Sequence, residues 1–566
     1  MGKTKGSPFD PSLAITHSIA NVICSIVFGN RFDYKDQNFL SSINNTFLDM
    51  SKFSTMFHEM FPRIMKYIPG PHNWVYSHYK ALHNFILEKL RASGMLKPLM
   101  KMRARYGPVF TLHLGPRQVV FICSCEALKE ALVDQAKEFS GRGVVTSLNK
   151  LFDGYGVVMA NGDRWQQLRR FCTSTLRNFG TGKRSIEERI QDEAQYLVEE
   201  IRKTKAGSPF DPTLVISHAI SNVICSVVFG SRFDYTDQKF LHLMGIINDT
   251  FLELSSVWTM LYETFPSIVR YIPGPHHRIF GHYKALHDFI TERLRINQQT
   301  LDPSCPRDFI DSFLIKMEEE KQNPQNEFST RNLVETTIQL FFAGTETTSS
   351  TLRYGFLLLV KYPEIQEKVQ EEVDRVIGQN HSPAMNDRGR MPYTNAVIHE
   401  IQRFANIVPL GVPHKVTCDT HFQGYLLPKG TDVFPVLGAA LWDPKYFKDP
   451  ESFHPGHFLD EEGRFKKNDA FLPFSSGKRV CLGKSLALME LFLILTTILQ
   501  RFTLKSPKLP QEIDLTPKAS GFLNAPPDYK LYAIPREGGL ESTIGEPWQT
   551  VEQDGGNDEP KAARHG

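Results

Sequence analysis

Cysteine is scarce in this 566-residue chain. There are eight, and only Cys123 and Cys125 stand close together. No CxxC pair occurs, which argues against a zinc ribbon, an iron–sulfur ligand run and a thioredoxin motif. The isolated thiols favour a reducing compartment. A surplus of one charge is also missing. Lys and Arg number 65 against 62 Asp and Glu, a net +3, without the concentrated basic face of a dedicated nucleic-acid binder. No apolar run reaches the length of a membrane span. The strongest, Leu486–Leu499, carries Glu490 and reads as a core helix. A dinucleotide-binding fingerprint is absent. Gly483-Lys484-Ser485 resembles the end of a phosphate loop, but five residues separate Gly477 from Gly483 where four are required. What is present, 41% hydrophobic and 22% charged residues, is an ordinary folding composition.

The chain repeats part of itself. SPFDP at Ser7–Pro11 returns at Ser208–Pro212, and NVICS, RFDY, YIPGPH and HYKALH follow in the same order in both copies. Ser7 recurs as Ser208 and Tyr67 as Tyr271, offsets of 201 and 204, so the second copy holds about three more residues. Two distant copies do not make a solenoid, which stacks several short repeats. Lys3, Lys5 and Leu13–Gly29 look superficially like a signal peptide. The same pattern recurs internally at Leu214–Gly230, so both stretches read as an amphipathic or buried helix. The first copy lacks the helical stretch Ser185–Arg202 that precedes the second. Residues 1–95 therefore read as a displaced partial repeat of 203–296, with a true two-domain duplication as the alternative.

From Tyr106 the chain reads as one domain, mainly helical with a minor β part. Val109–Leu114 and Gln118–Ile122 around Gly115-Pro116 predict a hairpin. Helical patterns cover Glu126–Glu138, Arg164–Leu176, Ser185–Arg202, Arg331–Lys361, Pro363–Ile377 and Thr394–Phe404, and Pro409–Val436 is strand-and-turn-like. Residues 537–566 are rich in Gly and charge and read as a disordered tail.

Chemistry concentrates in Phe471–Gly483, FLPFSSGKRVCLG, followed at once by a helix. Cys481 at that helix start, with Lys478 and Arg479 nearby in sequence, is expected to be a thiolate. With no second Cys or His beside it, it has no zinc partners. A lone thiolate on a large cofactor suits haem iron. A second signal is Ala343-Gly344-Thr345-Glu346-Thr347-Thr348 inside a long apolar helix. Gly and clustered Thr weaken a helix and can open a kink where a hydroxyl or water enters the ladder. Glu346 among apolar neighbours needs work or partners. A third, Glu400 and Arg403, is an i,i+3 pair, which alone reads as a surface salt bridge of about 0.3 kcal/mol.

AGTETT, then ExxR, then FSSGKRVCLG, in this order, resemble the cytochromes P450, specifically the microsomal family 2 enzymes of vertebrates. EFSGRG (138–143), GDRWQQLRRF (162–171), MPYTNAVIHEIQRF (391–404) and PGHFLD (455–460) are of the same kind, so the resemblance covers about 106–536. It implies a single large haem-binding domain over 96–536, mainly α with small β-sheets. Cys481 would be the axial thiolate of haem b, and Arg142, Trp165, Arg169, His414 and Arg479 would hold its propionates. Thr347 with Glu346 would manage protons, and Ala343 and Gly344 would line the oxygen groove. Glu400, Arg403 and Pro455–Phe458 would hold the core behind the haem. Val144–Leu148, Met159, Phe341, Ile407–Val412 and Phe522 would bound a lipophilic substrate.

The activity implied is monooxygenation of xenobiotics and of fatty acids such as arachidonate, by hydroxylation or epoxidation. Electrons would come from NADPH through NADPH–cytochrome P450 reductase, across the basic surface of Arg170, Lys478 and Lys484, with cytochrome b5 as a further partner and no nucleic acid. The resemblance also implies the cytoplasmic face of the endoplasmic reticulum membrane. There the displaced repeat replaces the family's anchor and leaves peripheral attachment. A non-catalytic product, with an intact haem loop behind a grafted front, is the other reading. Lys484 departs from the family by standing where an acidic residue is common.

Overall fold

The computed structural model describes residues 95–536, apart from 115–116, 180–184, 205–207, 272–273 and 522. The front copy of the repeat, Phe522 and the proposed tail lie outside the described residues. The described residues open with helix α1 (Leu96–Tyr106). The longer helices that follow are α2 (Gly162–Phe179), α3 (Ile186–Arg202), α4 (Thr213–Val228), α5 (Gln238–Leu254), α6 (Arg278–Gln299), α7 (Thr330–Lys361), α8 (Pro363–Val376), α9 (Pro392–Ala405) and α10 (Lys484–Arg501). The periodic stretches of the sequence became helices with boundaries shifted by a few residues, and capping side chains fix the start of some of them. Ser185 and Glu188 form a reciprocal capping box at α3, and the Ser329 hydroxyl accepts from the Asn332 N–H at α7.

One expected helix differs. Of Glu126–Glu138, only the residues up to Lys129 are α-helical, in the helix Cys125–Lys129, and Glu130–Asp134 widens into a π turn. That turn carries the Leu132 carbonyl against Gly477 of the cysteine loop. Such turns recur at functional sites.

The main sheet is built from β1 (Val109–Leu114), β2 (Arg117–Ile122), β3 (Gly141–Arg142), β4 (His414–Lys415) and, after the small hairpin of β5 (Thr420–Phe422) and β6 (Tyr425–Leu427), β7 (Asp432–Pro435). Its order is β1-β2-β7-β4-β3. β1 and β2 are antiparallel, from Val109 opposite Ile122 to Leu114 opposite Arg117. β2 and β7 run parallel. β3 lies antiparallel to β4, and this register sets Arg142 directly opposite His414. A C-terminal pair joins β8 (Phe502–Lys505) to β11 (Tyr532–Pro535), and β9 (Ala519–Ser520) pairs with β10 (Asn524–Ala525).

Helix α7 runs between two apolar cores. One packs α3, α4, α8, α9 and α10 around Leu357, Leu358 and Leu359. The other gathers α4, α5 and α6 around Ile338 and Phe341. α4 is buried at every position from Ile216 to Val228, so the internal stretch that resembles a signal peptide is a core helix. α10 is buried from Glu490 to Arg501. Among the described residues no helix is long and apolar enough to cross a membrane, and every described cysteine is a free thiol.

Candidate active site

Two helices and two loops converge on one chamber. The cysteine loop forms its floor. Ser475 (φ 60°) and Gly477 (φ 69°) turn the backbone left-handed, and a 3-10 turn follows over Gly477–Arg479. The Cys481 N–H donates to Phe474 O at 2.9 Å, which closes the loop. Cys481 is exposed to the chamber while protein surrounds it on the other sides. Its sulfur faces the N–H groups of Gly483 and Lys484 at the start of α10. Burial raises the thiol pKa above its ordinary value. Those N–H groups, Arg169 and Lys484 act in the opposite direction without overcoming burial.

The expectation that Lys478 and Arg479 activate the thiol is therefore corrected. The 3-10 turn sends Arg479 away to Ser140 O (Nε, 2.8 Å) and Ala160 O (Nη2, 2.9 Å). A bound cation, not these neighbours, would make the thiolate the stable form.

Gly477 has no room for a side chain. A Cβ there would lie 1.6 Å from the Leu132 carbonyl oxygen. Gly477→Ala is expected to cost more than the ~1–2 kcal/mol of a left-handed non-glycine residue, because a backbone oxygen must also move. A lower thermal midpoint with reduced haem content would report it; an unchanged midpoint would refute the loop geometry.

Three guanidinium groups and an imidazole meet above the loop. Arg142 Nε donates to Val158 O at 3.0 Å, and Arg169 Nη2 to Val480 O at 2.5 Å. Arg479 stacks on the Trp165 ring at 3.9 Å. His414 Nδ1 lies 2.6 Å from Phe139 O, which leaves Nε2 to other partners. Asn161, which sequence reading missed, ties the group together. Its Oδ1 accepts from the Arg142 N–H at 2.6 Å and from Arg479 Nη2 at 3.4 Å. Its place directly before Gly162, the first residue of α2, is the local sign of it.

The electrostatics of this cluster are unusual. Among the described residues no carboxylate pairs with Arg142, Arg169 or Arg479, and Arg479 Nη1 is buried without a partner. Burial, then Arg142 and Arg169, lowers Arg479 to about 8. Burial and Arg142 lower His414 to about 3. Packed cations without counter-charge are costly, and a group bearing two carboxylates would relieve them with strong charge-assisted bonds. A thiol floor beneath such a cluster fits a flat metal-bearing dianion, and haem b is such a group.

Helix α7 forms one wall. Ala343 is exposed to the chamber and Thr347 is half-buried. The Thr347 hydroxyl donates to Ala343 O and the Thr351 hydroxyl to Thr347 O, each at 2.7 Å. The helix is unbroken through this stretch, so the threonines bond back along it rather than opening the expected kink. Gly344 faces elsewhere: a Cβ would come 2.6 Å from Ile224 Cδ1 of α4, so its lack of a side chain lets the two helices approach.

Phe341 is fully buried among Phe229, Phe240 and Phe289. Half-buried Phe342, against the cluster of Phe251 and Ile407, is nearer the expected substrate wall. Met159 and Leu410 are buried, and Val144, Leu148 and Val412 are half-buried.

Glu346 is buried beside Ser350, whose hydroxyl donates to Oε1 at 2.9 Å; Arg353 Nη1 lies 4.0 Å away. Burial pushes its carboxyl up to about 7. The folded chain thus holds a proton that an unfolded carboxylate releases above its usual 4.5. This contribution is fully present below 4.5 and is lost as pH rises to about 7. Glu346→Gln should flatten this stretch of the stability–pH curve, by roughly 3 kcal/mol at most. Denaturant titrations at several pH values would read it, and an unchanged slope would refute the buried acid.

Glu400 and Arg403 are both fully buried, which overturns the surface-pair reading. They form two bonds of 2.7 Å. Arg403 also donates to Leu441 O, Pro450 O and Ser452 O, while His457 Nδ1 lies 3.1 Å from Glu400.

A family model described as Cytochrome P450 matches residues 1–94 and 87–533. The chain is 59% identical to Cytochrome P450 2G1 of Oryctolagus cuniculus over 450 residues, 80% of this chain and 91% of that protein. It is 56% identical to Cytochrome P450 2A3 of Rattus norvegicus over 448 residues, 79% and 90% of the two chains. To Cytochrome P450 2A13 of Homo sapiens it is 55% identical over 448 residues, with the same coverage.

Proposed function

The chain belongs to the cytochrome P450 family, whose members are haem-thiolate monooxygenases, and we propose that it hydroxylates or epoxidises lipophilic substrates, fatty acids such as arachidonate among them, with NADPH electrons delivered by NADPH–cytochrome P450 reductase. The cluster of Arg142, Arg169, Arg479 and His414 without carboxylate partners, above the Cys481 thiol, carries this reading. Bound haem supplies the iron at which dioxygen is reduced, one oxygen atom going to substrate and the other to water.

The residues divide the remaining work. Cys481 would hold the iron through its sulfur, and the N–H groups of Gly483 and Lys484 would steady the thiolate. The three arginines and His414 would hold the propionates, with Trp165 bracing Arg479. Thr347 gives its hydroxyl hydrogen to Ala343 O, so its oxygen can act only as an acceptor and would position a water proton. Glu346 holds a releasable proton one residue away. The apolar side chains of Met159, Phe342 and Leu410 exclude water and favour lipophilic substrates.

Arg170, Lys478 and Lys484 are exposed and suit an acidic redox partner, the reductase or cytochrome b5. Exposed Leu261, Phe265 and Tyr271 suit peripheral contact with the cytoplasmic face of the endoplasmic reticulum membrane. Holoprotein with reductase, NADPH and arachidonate in isotope-labelled dioxygen should yield product carrying one labelled oxygen. Unlabelled product, or none with any lipophilic substrate, would refute the reading.

Residues 1–95 are read as a displaced repeat because 203–296 already supply α4, α5 and most of α6. Deleting residues through Gly94 should leave the reduced carbon-monoxide spectrum unchanged. Loss of haem would instead give the front copy a structural role.

A further inference from the structure

A second cavity, of about 230 Å3, opens between α4, α5, α7 and the β9–β10 hairpin. It is several times the ~30 Å3 share of one liquid water. Arg353 of α7 lines it and is only 3% exposed. A guanidinium has five N–H donors, yet none from Arg353 reaches an acceptor among the described residues. Nε is buried and unpaired, and the nearest acid, Glu346, stands 4.0 Å from Nη1.

The acids at the cavity wall have partners of their own. Asp211 accepts from the Thr213 N–H at 2.8 Å. Asp528 pairs with Lys518 at 2.7 Å. A buried cation without an acceptor is costly. A carboxylate matches its planar fork with two parallel bonds. The two wall acids disfavour a dianion such as phosphate, and Leu252 and Ala525 offer an apolar side for a short tail.

We infer that this cavity is a binding site for a short aliphatic carboxylate, held by Arg353. Because Arg353 also faces Glu346 seven residues back on α7, an occupant would compete with Glu346 for the guanidinium.

The test is calorimetric titration of full-length holoprotein with sodium butyrate at constant ionic strength. Imidazole, present throughout, occupies the iron, so that binding in the haem chamber does not contribute. Sodium chloride and butanol serve as controls. Butyrate should bind with one-to-one stoichiometry, and Arg353→Met should weaken it by about 10-fold or more. Asn248→Phe, which fills the cavity from α5 and keeps the guanidinium, should abolish binding. If Arg353→Met does not fold, Asn248→Phe alone decides. No butyrate heat, equal binding of chloride or butanol, or full binding by either variant would overturn the inference.

Discussion

Cys481→Ala is expected to give a chain that lacks the thiolate-type Soret band in its reduced, carbon-monoxide-treated spectrum. Alanine removes the Cys481 sulfur and leaves the fold of the loop intact, because the Phe474–Cys481 closure is a backbone bond. Haem content should fall with the band, since the propionate cluster alone gives no axial ligand. NADPH-dependent turnover retained in this variant would refute the ligand assignment. Cys481→Ser is the informative partner: a hydroxyl is a poor donor to haem iron, so any haem it retains should lack the same band.

The second large effect falls away from the chamber. Arg403→Ala leaves the Glu400 carboxylate buried, with His457 and the His454 N–H as its remaining partners among the described residues. It also strips donors from three backbone carbonyls. Removing one partner of a buried pair costs about 3–5 kcal/mol, against a total stability of about 5–15 kcal/mol. Arg403→Ala should therefore accumulate as unfolded or haem-free protein at moderate temperature. Arg403→Lys should rescue little, because a point charge cannot satisfy a fork and three carbonyls together. Denaturant midpoints and haem content check both variants, and a midpoint close to that of the parent would show that the network is dispensable.

These two residues mark opposite cases of legibility. Cys481 was visible in its own neighbourhood, since glycines, a lone thiol and a following helix lie within a dozen positions. Glu400 and Arg403 carried no such mark. An i,i+3 pair looks the same in sequence whether water or protein surrounds it. Only the approach of 441–457 to α9 makes it a buried network.

The sequence by itself determined helices α2, α3, α4, α7, α8, α9 and α10, the hairpin of β1 and β2, and the identity of the cysteine loop, because each is written in contiguous periodicity or local turn chemistry, whereas α5 and α6 went unread. It also named the chamber's arginines and His414, through resemblance rather than spacing. Tertiary structure alone decided how they meet. The β3–β4 register sets Arg142 opposite His414, and Asn161 joins Arg142 to Arg479. α4 claims Gly344, the aromatic core claims Phe341, and the 3-10 turn takes Arg479 away from the thiol. The physical reason is that helix and turn preferences act over a few residues. Burial, dielectric and charge proximity depend on segments hundreds of positions apart, which only the packed chain brings together.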